Sequence, residues 1–430
     1  MRYRVLRHPL DHWIDPEIAF AALFAGQDNA FWLDSGVNAA TGFSYQGVGD
    51  RVVGDLDALA RELSENTVQP DAAATPFALG FVGWLGYGLR AATMGEPELP
   101  PRYPDAALAF VDTALEFDHS AHSVSIITLR DEIDASWIET LAGATAPSPP
   151  RPPAPAEASW RYSDEEYLWM IEECQRAIRE GDAYQLCLTT EVTVAARVDP
   201  FDTYRLLRAS SPTHHGGFIT IGGVSLLSAS PERFLAISPG GVVESSPIKG
   251  TRRRGDTGET DDSLRAELES SDKERAENLM IVDLMRNDIG RISRVGSVTV
   301  PRLLEVESYA HVHQLVSTVR GELEGGIGVI DAVRACFPAG SMTGAPKLSA
   351  TRILAALERR SRGIYAGAFG YFGLDGGVDL AMVIRSIVID DSGATVGTGG
   401  GITALSVPTE ELEETRVKAA ALLAVLGAAR

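Results

Sequence analysis

Three cysteines in 430 residues are too few and too scattered to staple a fold. Cys174, Cys187 and Cys336 show no metal-ligand spacing and are odd in number, which excludes a disulfide framework and suits a reducing cytoplasm. Positive charge is also short, with 38 lysines and arginines against 59 acidic residues and a net charge of −21. Nucleic acid needs a basic face, so that partner is excluded. Any anionic substrate must be drawn in by local cations against the overall field. No window is long and apolar enough to span a bilayer, and the stretch MRYRVLRHPLDHW lacks the apolar segment of a signal peptide. Also missing are a repeat of fixed period, a nucleophilic-serine elbow, a phosphate-loop lysine and a glutamine-amidotransferase signature. What remains, with 45% hydrophobic residues, is a globular chain expected in the cytoplasm, off the membrane, with room for one large domain or two to three ordinary ones.

The clearest break is the proline-dense stretch that begins ATAPSPPRPPAPAEA, residues 144–158, which forces an extended spacer. It divides an N-terminal region, 1–143, from a region expected to hold the chemistry, 159–430. The first contains the glycine-studded run FALGFVGWLGYGL and alternating stretches such as SVSIITL. The second opens with a helix that Ser163 and Glu166 cap and Gly181 closes. Strands are expected at AYQLCLTTEVTV, GGFITIGG, SLLSASPERFLAI, GAFGYFGL and DLAMVIRSIVID, and helices at 271–289, 345–359 and 409–426. Without strict βαβ alternation, this mixture predicts an α+β fold with largely antiparallel sheets.

Several stretches have the composition of a site. In ESSPIKGTRRRG, Pro247 fixes the backbone before Lys249, and Gly250 lets another group approach after it. Lys249 is either a surface-loop lysine or a desolvated amine able to act as a nucleophile. Arg252, Arg253 and Arg254 read as solvated or anion-facing charge. Glu274 and Glu277 share a face at the head of a helix whose run from Leu279 to Met285 is apolar nearly all round, which predicts burial. Glu411 and Glu414 repeat the pattern near the C-terminus. Each pair is either a solvated face or half of a site for a hard divalent cation such as Mg²⁺. Arg385 lies mid-strand among apolar neighbours and needs an anionic partner, internal or from a ligand. Gly399, Gly400 and Gly401 are either a bulge or an anion-binding nest. GSMTGAPK leads into a helix whose free N–H groups, with Thr343 nearby, are a second carboxylate site. His311 and His313 lack the further ligands of a zinc site and are structural or substrate-contacting. Two classes follow: a Mg²⁺-dependent enzyme acting on a small polycarboxylate, or a non-catalytic sensor of the same anion.

In their order, SPERF, PIKGT, RAENLMIVDLMRNDIGR, GSMTGAPK, VIRS and GGGI resemble the chorismate-utilising enzymes. That family comprises component I of anthranilate synthase and of aminodeoxychorismate synthase, the isochorismate synthases and the salicylate synthases. The resemblance is dense from about residue 159 onward and weaker, in FWLDSG and GFVGWLGYGL, before it. It implies antiparallel sheets packed as a sandwich with helices outside. Members that add water have a lysine where this chain has Gln185, so the glutamine implies ammonia as the incoming group. Anthranilate synthases have alanine, in PIAGT, where this chain has Lys249. Lysine there marks the aminodeoxychorismate synthases, in which it is the covalent nucleophile. The resemblance further implies Glu232 as proton donor, Glu277 and Glu414 as Mg²⁺ ligands, and Glu274 and Glu411 as residues that orient that site. Arg385, Tyr365, Thr343 and the backbone of Gly399, Gly400 and Gly401 are then the contacts to the chorismate carboxylates. Related enzymes often have histidine where this chain has Gln314, with His313 one position earlier. The expected partners are chorismate and a separate glutaminase subunit that supplies ammonia. The alternatives are ortho-amination as in anthranilate synthase, isochorismate or salicylate chemistry, and a non-catalytic chorismate binder.

Overall fold

The computed structural model of the protein describes residues 1–69, 76–97, 99–309 and 312–428, so His311 lies outside the described part. Two large sheets form the framework, and every strand pair in them is antiparallel. The 12-stranded sheet runs 158–160, 185–194, 393–402, 386–390, 224–230, 215–221, 30–34, 43–48, 113–118, 123–128 and 6–9, with 344–345 added beside 185–194. The 10-stranded sheet runs 248–253, 312–322, 242–245, 233–237, 378–382, 368–373, 80–85, 106–111 and 52–53, with 299–308 added beside 312–322.

The main core lies between the sheets, and the period-two alternation of strand side chains fills it. Phe31, Ala114 and Ile127 face this core, together with Val82, Trp84, Phe369 and Tyr371 of the other sheet, while Phe81 and Phe372 pack on that sheet's outer face. Trp32, Leu115 and Ile126, the chain neighbours of the first three, point the other way, into a second core that the helices Pro16–Leu23, Pro200–Ser210 and Pro408–Val425 help to close. Covered on both faces, these strands are apolar on both faces. A third cluster joins the helices Asp164–Glu180 and Lys347–Glu358 over strand Gln185–Val194. The first of these has the expected Ser163/Glu166 capping box and ends on Gly181 in the left-handed conformation.

Residues 1–143 and 159–430 share both sheets. Strand Ala30–Asp34 pairs with His215–Ile221, and Gly80–Leu85 pairs with Ala368–Gly373. The proline-rich stretch between them is irregular and is tied down by the Arg205 guanidinium on the Ser148 carbonyl (2.8 Å) and by Ala156 N–H on the Gly427 carbonyl (3.0 Å).

Three sequence expectations change. The stretches 225–237 and 379–390, each expected as one strand, are two strands apiece. Val224–Ser230 and Ser386–Asp390 belong to the 12-stranded sheet, while Arg233–Ile237 and Val378–Met382 belong to the other. The chain therefore changes sheets at Pro231–Glu232 and again at Val383–Arg385, where Arg385 takes a φ of 52°. The helix Asp272–Gly290 is not buried all round: Leu279 is 44% exposed, and only the face of Ile281, Val282, Met285 and Ile289 is packed. Its Ser271 cap is present, accepting from Glu274 N–H, but the Glu274 side chain bonds Arg252 instead of reaching back to complete a capping box.

Close sheet packing explains the glycine-studded run. A side chain at Gly83 would begin 1.9 Å from the Ala107 carbonyl oxygen and 2.7 Å from Leu108 Cα, both backbone atoms of the neighbouring strand. Gly83→Ala should therefore lower thermal stability by about 1–3 kcal/mol through overpacking. Gly258→Ala, at a helix start with nothing within 4 Å, should change it by less than about 1 kcal/mol. Thermal unfolding of the two variants checks the contrast.

Candidate active site

The two sheet changes lie side by side, and together they open a cavity of about 450 Å³. Met382 N–H donates to the Glu232 carbonyl at 2.9 Å, and Ala229 N–H donates to the Arg385 carbonyl at 3.1 Å, so each changeover braces the other. Strands that switch sheets lose their neighbours at the bend, and here the bend presents Glu232 and Arg385 to the space left behind. The Arg385 guanidinium has no ion-pair partner among the described residues. Burial within the cavity walls pulls its proton affinity below the ordinary value. It is left open to an anion entering the cavity.

Lys249 enters the same cavity from strand Ile248–Arg253. Ile248 pairs with Val316 and Thr251 with Gln314, which leaves Lys249 and Gly250 opposite a single residue, a β-bulge. Gly250 has a φ of 87°, and a side chain there would begin 2.7 Å from Leu268 Cδ1 and 3.1 Å from the Glu274 side chain. The positive φ favours glycine here, and the tight space adds to that preference. The extra residue turns Lys249 inward, half-buried, with no carboxylate within salt-bridge distance among the described residues. The following arginines are committed elsewhere: Arg252 to Glu267 and Glu274, Arg254 to Asp261, while Arg253 is exposed beside Asp256.

Glu232 is buried, and its Oε1 accepts from the Ser341 hydroxyl at 2.8 Å. Burial raises its carboxyl to about 7, against the lowering effects of Ser341 and of the Lys249 charge. A carboxyl that exchanges its proton near neutral pH beside a lysine suits a general acid.

All four expected glutamates line the cavity. Burial raises Glu277, with the charges of Glu274 and Glu411 adding to the effect and Lys249 opposing it. Burial also raises Glu411, whose Oε1 accepts from Ser406 at 2.7 Å. For Glu414, burial is outweighed by Lys418, 2.7 Å away, which holds the carboxyl below its ordinary value. Among the described residues, no three acidic, histidine or cysteine side chains converge closely enough to grip a metal ion as they stand. Glu274 is on Arg252 and Glu414 is on Lys418.

The remaining wall is strand Gly393–Ile402. Its pairing with Ser386–Asp390 stops at Val396, while its other edge stays paired to Gln185–Val194. Beyond Val396 the freed edge lines the cavity through Gly399, Gly400 and Gly401. A side chain at Gly400 would begin 3.2 Å from Glu411 Oε2, and one at Gly397 would fall 2.1 Å from Cγ of Tyr365. Bare backbone thus gives room to the carboxylate and to the aromatic ring that faces the site.

Two expected contacts are set back from the cavity. Thr343 is buried, and its hydroxyl donates to the Ala339 and Gly340 carbonyls, because a 3₁₀ turn at Gly340–Met342 presents Ser341 and Met342 instead. Gln185 lies behind the glycine wall, its Nε2 only 2.3 Å from where a Gly401 side chain would start, with Lys249 Nζ 3.7 Å from the same point. His313 is structural, bonded to Ser308 (2.8 Å) and Asp261 (2.9 Å), whereas Gln314 lines the cavity. Sequence reasoning missed Ser341, Lys418 and Lys273. The spacing of Lys418, four residues after Glu414 on one helix, was a usable signal. A second cavity of about 440 Å³, between Leu33–Tyr45 and Tyr371, contains none of the expected site residues.

Residues 20–424 match the chorismate binding enzyme family. The chain is 41% identical to a Streptomyces pristinaespiralis protein named aminodeoxychorismate synthase, over 96% of this chain and 64% of that one. It is 38% identical to anthranilate synthase component 1 of Geobacillus stearothermophilus, over 83% of this chain and 76% of that one. Among solved structures, anthranilate synthase component I from Streptococcus pneumoniae superposes with a TM-score of 0.77 at 30% identity, covering 95% of this chain and 97% of that one. The chain spans between 42% and 65% of the length of the aminodeoxychorismate synthases it matches in Streptomyces, Arabidopsis thaliana and Oryza sativa.

The raised Glu232 carboxyl has a consequence for stability. The fold lifts it from 4.5 to about 7, so below pH 4.5 its protonated form supports the fold fully. As pH rises through about 7, the unfolded chain has already released the proton and that support is lost. Glu232→Gln never ionises, and its stability relative to the native protein should climb by roughly 1–3 kcal/mol between pH 5 and pH 8. Melting temperatures of both proteins across that range measure it.

Proposed function

The chain belongs to the chorismate binding enzymes, and from that premise we propose that it aminates chorismate at C4 with ammonia, giving 4-amino-4-deoxychorismate and water. The observation that carries this reading is Lys249, turned into the cavity by a bulge and without a carboxylate partner among the described residues, with Glu232 within reach of its charge. A surface lysine needs no bulge, and a sensor of the same anion needs positive charge but no carboxyl poised near neutrality.

The chemistry runs in two displacements. The Lys249 amine bonds to C2 of the ring, the diene electrons shift, and the C4–O bond breaks as Glu232 gives its proton to the departing hydroxyl, which leaves as water. Ammonia then bonds to C4, the electrons shift back, and the C2–N bond breaks to release Lys249 as a neutral amine. The proton shed by the new C4 ammonium restores Glu232. Arg385 and the open edge at Gly399, Gly400 and Gly401 hold the substrate carboxylates, with Tyr365 against them. Gln185, where a lysine would activate water, leaves the second displacement to ammonia.

The four glutamates offer only hard oxygen donors, and their burial and mutual repulsion favour a divalent cation, so the residues fit Mg²⁺. Glu277 and Glu414 would hold it, with Glu274 and Glu411 orienting the site and Lys418 and Arg252 giving up their present partners. When bound, the cation supplies positive charge that draws a substrate carboxylate in. We assign ammonia supply to a separate glutaminase subunit and the setting to the cytoplasm.

With chorismate, Mg²⁺ and ammonium, the purified chain should form 4-amino-4-deoxychorismate, identified by mass and ultraviolet spectrum, and glutamine should not replace ammonium until a glutaminase is added. Lys249→Ala should reduce the rate on the order of a thousandfold or more while leaving stability within about 0.5–1 kcal/mol. Intact-protein mass during turnover should show a chorismate-derived adduct on the native chain and none on the variant. Near-native product formation by Lys249→Ala would reopen the choice between para- and ortho-amination. Glu277→Gln and Glu414→Gln should each raise the Mg²⁺ concentration needed for half-maximal rate by at least about tenfold; full activity of both in excess chelator would remove the metal assignment.

A further inference from the structure

Glu358 and Arg362 take no part in the steps above, yet each is only 3% exposed, deep beneath the cavity floor. Burying such a pair gives little net stability over an apolar replacement, so its geometry is the more informative property. The Arg362 guanidinium uses its whole fork. Nε and Nη2 donate to the two Glu358 oxygens at 2.9 and 2.7 Å, Nη1 donates to the Met342 carbonyl at 2.7 Å, and Nη2 donates to the Cys187 carbonyl at 2.9 Å. Glu358 Oε1 also accepts from the Thr189 N–H (3.0 Å) and hydroxyl (2.9 Å). The Tyr87 ring, from the N-terminal glycine-rich run, lies 4.3 Å from the guanidinium carbon.

Cys187 and Met342 both line the cavity, and they belong to different segments. Cys187 is on strand Gln185–Val194, while Met342 directly follows Ser341, the donor to Glu232. We propose that Arg362, held in place by Glu358, is a positioning residue: it clamps the turn Gly340–Met342 to strand Gln185–Val194 and so sets the Ser341 hydroxyl against Glu232. The assignment of Glu232 as proton donor rests on the function proposed above, but the clamp itself does not. A lysine ammonium cannot reproduce a planar fork that serves two carbonyls and a carboxylate at once. The charged side chain whose field reaches Glu232 from a neighbouring element is Lys249, and it stands on another strand, outside the clamp.

The test compares Arg362→Lys with Ser341→Ala in two ways. The first is steady-state turnover of chorismate and ammonium, measured below the melting temperature of each variant. The second is titration of the Glu232 carboxyl by ¹³C NMR in protein with labelled glutamate, assigned with Glu232→Gln. Both variants should lower kcat at least about tenfold, with the chorismate KM changed less than about threefold. Both should also move the Glu232 midpoint upward, since a donor to its charged form is lost. A folded Arg362→Lys with native kcat and native midpoint would reduce Arg362 to a stabilising residue and overturn the clamp. A lowered kcat with an unmoved midpoint would equally overturn it, because Arg362 would then act by another route. A shifted midpoint in a protein that makes no aminated product would uphold the clamp and reject the proposed reaction. If Arg362→Lys does not fold, Ser341→Ala and Glu358→Gln are read by the same two measurements under the same criteria.

Discussion

Two neighbouring strands leave one sheet and join the other at the same level, and the site depends on that constraint. A strand that changes sheets gives up its partners at the bend, so polar groups at the bend must find other company. Here the two bends bond each other through Met382 to Glu232 and Ala229 to Arg385, and the side chains at the bends are left facing a gap. The gap is bounded by a bulged strand on one side, a half-freed glycine strand on another, and the heads of two helices. None of these elements is unusual alone. The acid, the lysine and the arginine come from three segments that only the exchange between sheets brings to one place.

Charge pairing sorts the cations around this cavity. A chain of net charge −21 has few cations to spare, and most of those near the site are already occupied: Arg252 by two glutamates, Arg254 by Asp261, Lys418 by Glu414, Arg362 by Glu358. Lys249, Lys273 and Arg385 line the same space with no such partner among the described residues. The carboxylates do not divide this way: Glu232 has only a hydroxyl for company, while Glu274 and Glu414 hold cations that a metal would have to displace. Among the cations, the ones left unpaired have capacity for a ligand.

Local chemistry made much of this legible. Helix caps at Ser163 and Gly181, the period-two cores and the glutamate pairs at helix heads all follow from short-range rules, and the structure places them accordingly. Lys249 between proline and glycine signalled a special backbone, and the bulge accounts for it. The sheet changes were not legible, because the flanking runs Leu226–Leu227, Phe234–Ile237, Leu380–Ile384 and Ile387–Ile389 are apolar whichever sheet they join. The exposure of Leu279 escaped for a related reason: periodicity cannot tell a face packed on a sheet from one left open. Thr343 was expected where Ser341 stands, because nothing local signalled the 3₁₀ turn at Gly340–Met342 that folds the Thr343 hydroxyl back onto the Ala339 and Gly340 carbonyls.

The sharing of strands also has a kinetic side. Ala30–Asp34 pairs with the nearby Phe43–Val48 but finds its second partner nearly two hundred residues later, and Gly80–Leu85, paired with Ala106–Val111, waits for Ala368–Gly373. Neither sheet can be completed while the other is missing, because each lends the other the continuation of a strand. Chains dominated by such distant pairings fold slowly, and a nascent chain must keep its early strand edges unpaired until the last third has been made. The cavity is then among the last things to exist, assembled in the same event that closes the fold.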